Sequence, residues 1–232
     1  YPILAANVLN NEGQPAFGPA YKIIEAQGVK IGIVGFLTQY IPHWEKPSII
    51  KDLTFQSILT TAKDILPDLR QSVDLLIVAY HGGFERDLQT GLPTESLTGE
   101  NEAYQLVEEY KDYIDALVTG HQHREIADHL FGVPVIQPGY RGAFVGEIEL
   151  ELDNHKKVVA SNARLHKTEN CKVSSEVNQL ISVVSEEAED WLDQPMGEVH
   201  GEMIIRDPMT ARLIAHPYIE LINKIQMEAT GT

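Results

Sequence analysis

Apolar and polar positions along this chain change period several times, and each change marks an element. Residues 31–37, Ile31-Gly32-Ile33-Val34-Gly35-Phe36-Leu37, are almost all apolar, the pattern of a strand covered on both faces. With residues 21–27 they predict a hairpin about Gly28. Residues 2–8 predict a short strand, followed by a turn-rich stretch to Pro19. Residues 55–70 have helical spacing, with Ile58, Leu59, Ala62, Ile65, Leu66 and Leu69 on one stripe. Thr54 is placed to cap that helix, and Pro67 is expected to kink or end it.

Residues 74–80 predict a strand, 81–99 a polar loop, and 100–110 a helix with Thr98 as its cap. Residues 115–119 and 133–137 predict further strands, the first leaving through a loop at 121–123, the second ending in Pro138-Gly139. Residues 144–152 and 158–166 alternate around a turn at Asp153-Asn154, a hairpin with one wet face. Residues 174–193 predict an acidic linker helix and 217–227 another helix. Strands alternating with helices, flanked by hairpins, predict a layered α/β domain.

The chain has 232 residues, 43% of them hydrophobic, enough for a packed core. Its 34 acidic against 18 basic residues give a net charge of −16, which argues against a surface for nucleic-acid polymers. A small anionic substrate stays open, because bound cations reverse the local field. The lone Cys171 makes neither an intrachain disulfide nor a cysteine-type zinc site. No apolar run predicts a transmembrane segment. The chain starts without methionine in what reads as a strand, as a piece of something longer would.

Two predicted strands end in histidine and glycine. Residues 74–80 run into His81-Gly82-Gly83, and residues 115–119 run into Gly120-His121-Gln122-His123. Open α/β sheets bind ligands beyond the carboxyl ends of their strands, and imidazole is a common ligand for zinc, manganese and iron. His81, His121 and His123 are therefore the candidate metal ligands. A lone histidine after a strand is more often a hydrogen-bonded loop residue, and the pairing of two such strand ends favours metal. His43, His129, His155, His166, His200 and His216 lack that context and are assigned to surface or packing. Glu85, Asp87, Asp115 and Glu125 are expected behind the ligands or in solvent. A two-metal hydrolase needs carboxylates as well, and this chain offers none at a strand end.

Taken in order, Tyr80-His81-Gly82-Gly83, Gly99-Glu100-Asn101, Thr119-Gly120-His121-Gln122-His123 and Val135-Ile136-Gln137-Pro138-Gly139 resemble the calcineurin-like metallophosphoesterases. The closer likeness is to the bacterial 5′-nucleotidase and 2′,3′-cyclic-nucleotide 2′-phosphodiesterase group. The opening residues 1–8 and the tail residues 223–231 are also similar to that group.

The resemblance implies a layered metallophosphoesterase sandwich of two mixed sheets with flanking helices, lacking its N-terminal portion. Residues 1–170 would be the C-terminal part of that domain, 171–195 a linker helix and 196–232 the start of a C-terminal nucleotidase domain. It implies two divalent ions (Zn, Mn or Fe), one on His81 and His121 and the other on His123, and a nucleotide substrate. Gln137 and Gly139 are given no catalytic role. Glu100 and Asn101 are taken as a helix start ahead of a substrate contact. The catalytic histidine of the family would precede Tyr1, so no residue here is assigned that role. An extracytoplasmic location (secreted, cell wall or periplasm) is implied by the resemblance alone. The alternatives are a non-catalytic fragment with an incomplete metal site and a protein-binding module.

Overall fold

A computed structural model describes residues 2–231 and divides the chain into two compact units, Tyr1–Cys171 and Lys172–Thr232. The first unit opens with β1 (Val8–Leu9), β2 (Tyr21–Ala26) and β3 (Val29–Leu37). A 3-10 turn at Ile41–His43, α1 (Pro47–Ile50), β4 (Thr54–Phe55), α2 (Ile58–Ser72) and β5 (Leu75–His81) follow. It continues through α3 (Ala103–Tyr110), β6 (Ala116–Thr119), β7 (Glu125–Leu130), β8 (Val133–Pro138), β9 (Phe144–Leu152) and β10 (Val158–Lys167). The second unit carries α4 (Ser175–Leu192), α5 (Thr210–Leu213) and α6 (Pro217–Thr230).

Six strands form one mixed sheet in the order β2-β3-β5-β6-β8-β7. The four inner strands are parallel, and antiparallel β2 and β7 close the edges. Strands β9 and β10 pair as a hairpin. This is the layered α/β architecture that the alternation of elements predicts. Val34, Leu76, Val78, Leu117 and Val135 are fully buried in one cluster with Ala62, Leu66 and Leu69 of α2 and Leu106 and Val107 of α3. Burying each of the larger of these side chains contributes about 1.5–3 kcal/mol.

Acidic side chains hold the amino ends of the central strands. Asp115 pairs with Arg70 and accepts from the Leu76 amide at 2.7 Å. Asp74 accepts from the Lys30 amide at 2.8 Å and from Lys156 Nζ at 2.9 Å. These two donors, the amide first, hold the Asp74 carboxyl below its usual range. The parallel strands thus start from one fixed edge and deliver their carboxyl ends to the other.

The structure departs from the local expectations in five places. Within residues 2–8 the backbone is irregular up to β1. Leu4 crosses Gly35 so closely that a Cβ there would strike its carbonyl, and the Ala6 amide bonds to Gly35 O at 2.8 Å. Thr54 belongs to β4, and Ser57 caps α2, accepting from the Thr60 amide. Helix α2 runs on through Pro67 to Ser72, so Pro67 does not end it; Leu66 and Leu69 bury on either side of it and offset the lost hydrogen bond. Helix α3 starts at Ala103 and not at residue 100, and Thr98 does not cap it. Strand β7 was not expected; Phe131 and Gly132, at φ 51° and 88°, turn it tightly into β8.

In the second unit, Ser174 caps α4 by accepting from the Val177 amide at 3.3 Å. The apolar stripe of α4 has no buried residue. His216 caps α6 through Nδ1, accepting from the Tyr218 amide at 3.2 Å. Gly231, at φ 72°, closes α6 in the left-handed region. Among the described residues no helix is long and apolar enough to cross a membrane.

Candidate metal centre

Strands β5 and β6 are parallel neighbours with Tyr80 opposite Thr119, so the chain leaves both at one edge of the sheet. His81 is the last residue of β5, and His121 lies two residues beyond β6. Their rings lie 5.4 Å apart between centroids at 62°. The Gly120 amide bonds to Gly82 O at 3.2 Å and ties the two exits together. His121 is the centre of a γ-turn, with φ 68° and a bond from the Gln122 amide to Gly120 O at 2.7 Å. His123 is also left-handed, at φ 59°. Two non-glycine residues in this region within three positions store strain, commonly about 1–3 kcal/mol each.

The side chain between them holds the turn. Gln122 Oε1 accepts from the Phe84 amide at 2.9 Å, and Nε2 donates to Phe84 O and Glu95 Oε2, each at 3.0 Å. Gly83 makes room for it, since a Cβ there would run into the Gln122 carboxamide. Buried Asn101 adds a parallel tie, accepting from the Gly83 amide at 2.6 Å and donating to Glu95 Oε1 at 2.8 Å. Gln137, fully buried, accepts from the Arg124 amide at 2.7 Å and donates to Thr119 Oγ1 at 3.1 Å, fixing the end of the His123 loop.

Glu100 is not a helix start. Its carboxylate Oε1 lies 2.9 Å from His121 Nε2. Its carbonyl accepts from Thr38 Oγ1 at 2.6 Å and from Tyr80 Oη at 3.2 Å, so its backbone is pinned. Burial holds the Tyr80 phenol neutral. Two exposed aromatic rings complete the surroundings. Trp44 lies 5.3 Å from the His121 ring at 31°, and Tyr140 stacks on His123 at 5.3 Å and 16°. Partial burial of the ring, then the imidazoles of His121 and His123, lower the pKa of His81 even though it ends an exposed strand terminus. Neutral imidazole is the form that binds metal. Beside His121 lies an open polar cavity of ≈ 550 Å³, lined by Thr94, Glu95, Glu100, Asn101, Gln122 and Arg124.

The carboxylates take other places. Glu85 was expected behind the ligands or in solvent, and is instead 4% exposed at the start of α3. It accepts from the amides of Tyr104 at 3.0 Å and Gln105 at 2.9 Å, capping a helix that has no side-chain cap of its own. Burial raises its pKa. Asp115 holds the amino edge, and Asp87 closes a turn on Thr90 at 2.8 Å. Glu125 is exposed on β7.

The structure therefore brings His81 and His121 together and directs His123 to Tyr140. A centroid separation of 5.4 Å suits two imidazoles sharing one ion at nitrogen distances of about 2.0–2.1 Å. Among the described residues, no three or more His, Cys, Asp or Glu side chains form a group that could hold an ion. The donor set fits part of a metal centre and lacks its carboxylates. The remaining histidines stand apart: His43 stacks on Tyr40, His129 meets Ser161, His166 pairs with Glu147, and His200 with Glu198.

No family model matches the chain. A Staphylococcus aureus protein described as a candidate 5′-nucleotidase superposes with a TM-score of 0.85 at 37% identity, over 94% of this chain and 42% of that one. The calcineurin-like phosphoesterase YfkN of Bacillus subtilis superposes at 0.70 with 25% identity, over 84% of this chain and 64% of that one. A 2′,3′-cyclic-nucleotide 2′-phosphodiesterase/3′-nucleotidase of Salmonella typhimurium is 30% identical over 179 residues, 66% of this chain and 26% of the relative. The fold is that of the calcineurin-like phosphoesterases. Within them the chain is a member of the bacterial 5′-nucleotidase and 2′,3′-cyclic-nucleotide 2′-phosphodiesterase group, which implies divalent-metal chemistry in general. It spans 17%, 26% and 38% of the length of three curated bacterial relatives.

Proposed function

We propose that this chain carries part of the metal centre of a metal-dependent phosphoester hydrolase acting on nucleotides, either a 5′-nucleotidase or a 2′,3′-cyclic-nucleotide 2′-phosphodiesterase/3′-nucleotidase. The observation that carries it is the meeting of His81 and His121 at one sheet edge, 5.4 Å apart. His81 and His121 would hold one divalent ion and His123 a second, drawn from zinc, manganese or iron. When bound, such ions polarise a phosphoester and lower the pKa of water at neutral pH.

This chain's own residues prepare that chemistry. His81 stays neutral and available as a ligand. Glu100 accepts the Nε2 proton of His121, fixing the tautomer that leaves Nδ1 free. Gln122 and Asn101 hold the loops so that the imidazoles need no reordering. The remaining ligands and the catalytic histidine belong to a preceding part of a longer protein, and residues 196–232 open a further domain beyond the linker at 171–195. The small fraction of each relative spanned by the chain supports that assignment. A relative named cell wall protein Lmo0130, from Listeria monocytogenes, 28% identical over 222 residues, supports an extracytoplasmic setting.

Full-length protein supplied with manganese or zinc should release phosphate from AMP or hydrolyse 2′,3′-cyclic AMP. Failure with both substrates and both metals sinks the proposal. Metal analysis of the 232-residue chain tests the fragment alternative, since two tightly held ions per chain would show that nothing is missing.

A further inference from the structure

Residues 85–94, in the loop after β5, fold back on themselves. The Asp87 amide bonds to Leu92 O at 2.9 Å, the Thr94 amide bonds to Glu85 O at 3.0 Å, and Arg86 stands opposite Pro93. One foot of this hairpin is Glu85, anchored on the first amides of α3. The other foot delivers Glu95 to the wall of the cavity beside His121. There its carboxylate accepts from two neutral amides, Oε1 from Asn101 Nδ2 at 2.8 Å and Oε2 from Gln122 Nε2 at 3.0 Å.

The other end of each amide is already committed. Asn101 Oδ1 accepts from the Gly83 amide at 2.6 Å, and Gln122 Oε1 accepts from the Phe84 amide at 2.9 Å. The bonds close a circuit: Glu95 to Asn101, Asn101 to Gly83, along the chain to Phe84, then to Gln122 and back to Glu95. A carboxylate only accepts, whereas a carboxamide has one accepting and one donating end. Glu95 therefore turns both NH2 groups toward itself and both oxygens toward the peptide amides that follow β5. A donor in its place would oppose one of them.

We propose that Glu95 is a positioning residue: its carboxylate sets the orientation of Asn101 and Gln122, and through Gln122 the placement of His121 against His81. Its bearing on metal binding rests on the metal-dependent function proposed above; its orienting of the two carboxamides does not. Glu95 acts at one remove, through side chains that themselves grip the peptide groups of the neighbouring loop.

The test compares an isosteric variant with a truncated one. Glu95→Ala lets both carboxamides keep their bonds to Gly83 and Phe84, with their NH2 groups turned to the open cavity. Glu95→Gln puts a donor where an acceptor stood, so one carboxamide must turn over and lose its peptide partner. In metal-free full-length protein, hydrogen exchange at the Gly83 and Phe84 amides should quicken about tenfold in Glu95→Gln and less in Glu95→Ala. Exchange at the Leu76 amide, held by Asp115 at the opposite edge of the sheet, should not change. Zinc or manganese should bind Glu95→Gln about tenfold more weakly than the parent, the low end of what outer partners contribute, with Glu95→Ala in between. A side chain that merely filled space would give the reverse order, with Glu95→Gln nearest the parent. That order overturns the proposal, as do parent-like exchange in Glu95→Gln and quickened exchange that extends to Leu76. Absence of metal binding or phosphate release in the parent, with the exchange pattern intact, would instead sink the proposed reaction and leave the orienting role standing.

Discussion

The carboxamide of Gln122 pairs with the Phe84 peptide in both directions, accepting from its amide at 2.9 Å and donating to its carbonyl at 3.0 Å. One side chain thereby joins the loop after β5 to the loop after β6 and fixes the two histidines that flank it. Gln122→Ala would leave the Phe84 amide without its partner and the Phe84 carbonyl with only the Arg124 guanidinium at 3.4 Å, at a cost of about 1–3 kcal/mol. Urea unfolding should show a lower midpoint with an unchanged slope. In full-length protein the same variant should bind divalent ions more weakly.

The carboxylate of Glu100 meets His121 Nε2 at 2.9 Å. Glu100→Gln keeps the shape but replaces a charged acceptor by a neutral amide. Outer partners of metal-binding imidazoles are commonly worth about 10- to 100-fold in affinity. Calorimetric titration of the full-length variant with zinc or manganese should show a loss of that size, with thermal stability little changed. Unaltered affinity would mean that Glu100 does not orient the ring.

Loss of an imidazole should be more severe. His81→Ala and His121→Ala in full-length protein should each lower kcat/KM for AMP by more than about 100-fold, beyond what an outer partner costs. His129→Ala is the control: its exposed ring lies on β7 against Ser161, and phosphate release should be unaffected. Comparable losses in all three would point to general destabilisation.

Glu102 provides a pH test apart from the imidazoles. Burial, then the charges of Glu85 and Glu109, push its pKa up to about 7 from an ordinary 4.5. The folded state therefore holds a proton that the unfolded chain has released. This contribution to stability is complete below pH 4.5 and is lost as pH rises through about 7. Gln39 Nε2 donates to Glu102 at 3.0 Å, and an amide at position 102 can still accept that bond. Glu102→Gln should therefore stabilise the protein at pH 8 relative to the parent and make little difference at pH 5, measured by urea melts at each pH.

Strands and histidines were legible where a single element carries the signal. Residues 31–37 fall within β3, and the strand-ending histidines stand where their runs of apolar residues end. Partners distant along the chain were not legible. Glu85 caps a helix 19 residues away, and nothing in the loop around it has a period to reveal that. Strand β7 buries only Ile126 and Leu130, four residues apart, a spacing that masks the strand alternation. The role of Gln122 was not legible either, because its partner, Phe84, is 38 residues earlier. Pro67 does not end α2, because propensity is weak against a buried stripe.

Asp74 and Asp115 clamp the sheet at the end opposite the imidazoles, about 20 Å away along β5 at ordinary strand rise. Rigidity and reactivity therefore occupy opposite rims of the same sheet. Engineers seeking a hardier variant can rework the foot of these strands while leaving turnover untouched, and substitutions that retune specificity at the crown need not loosen the base.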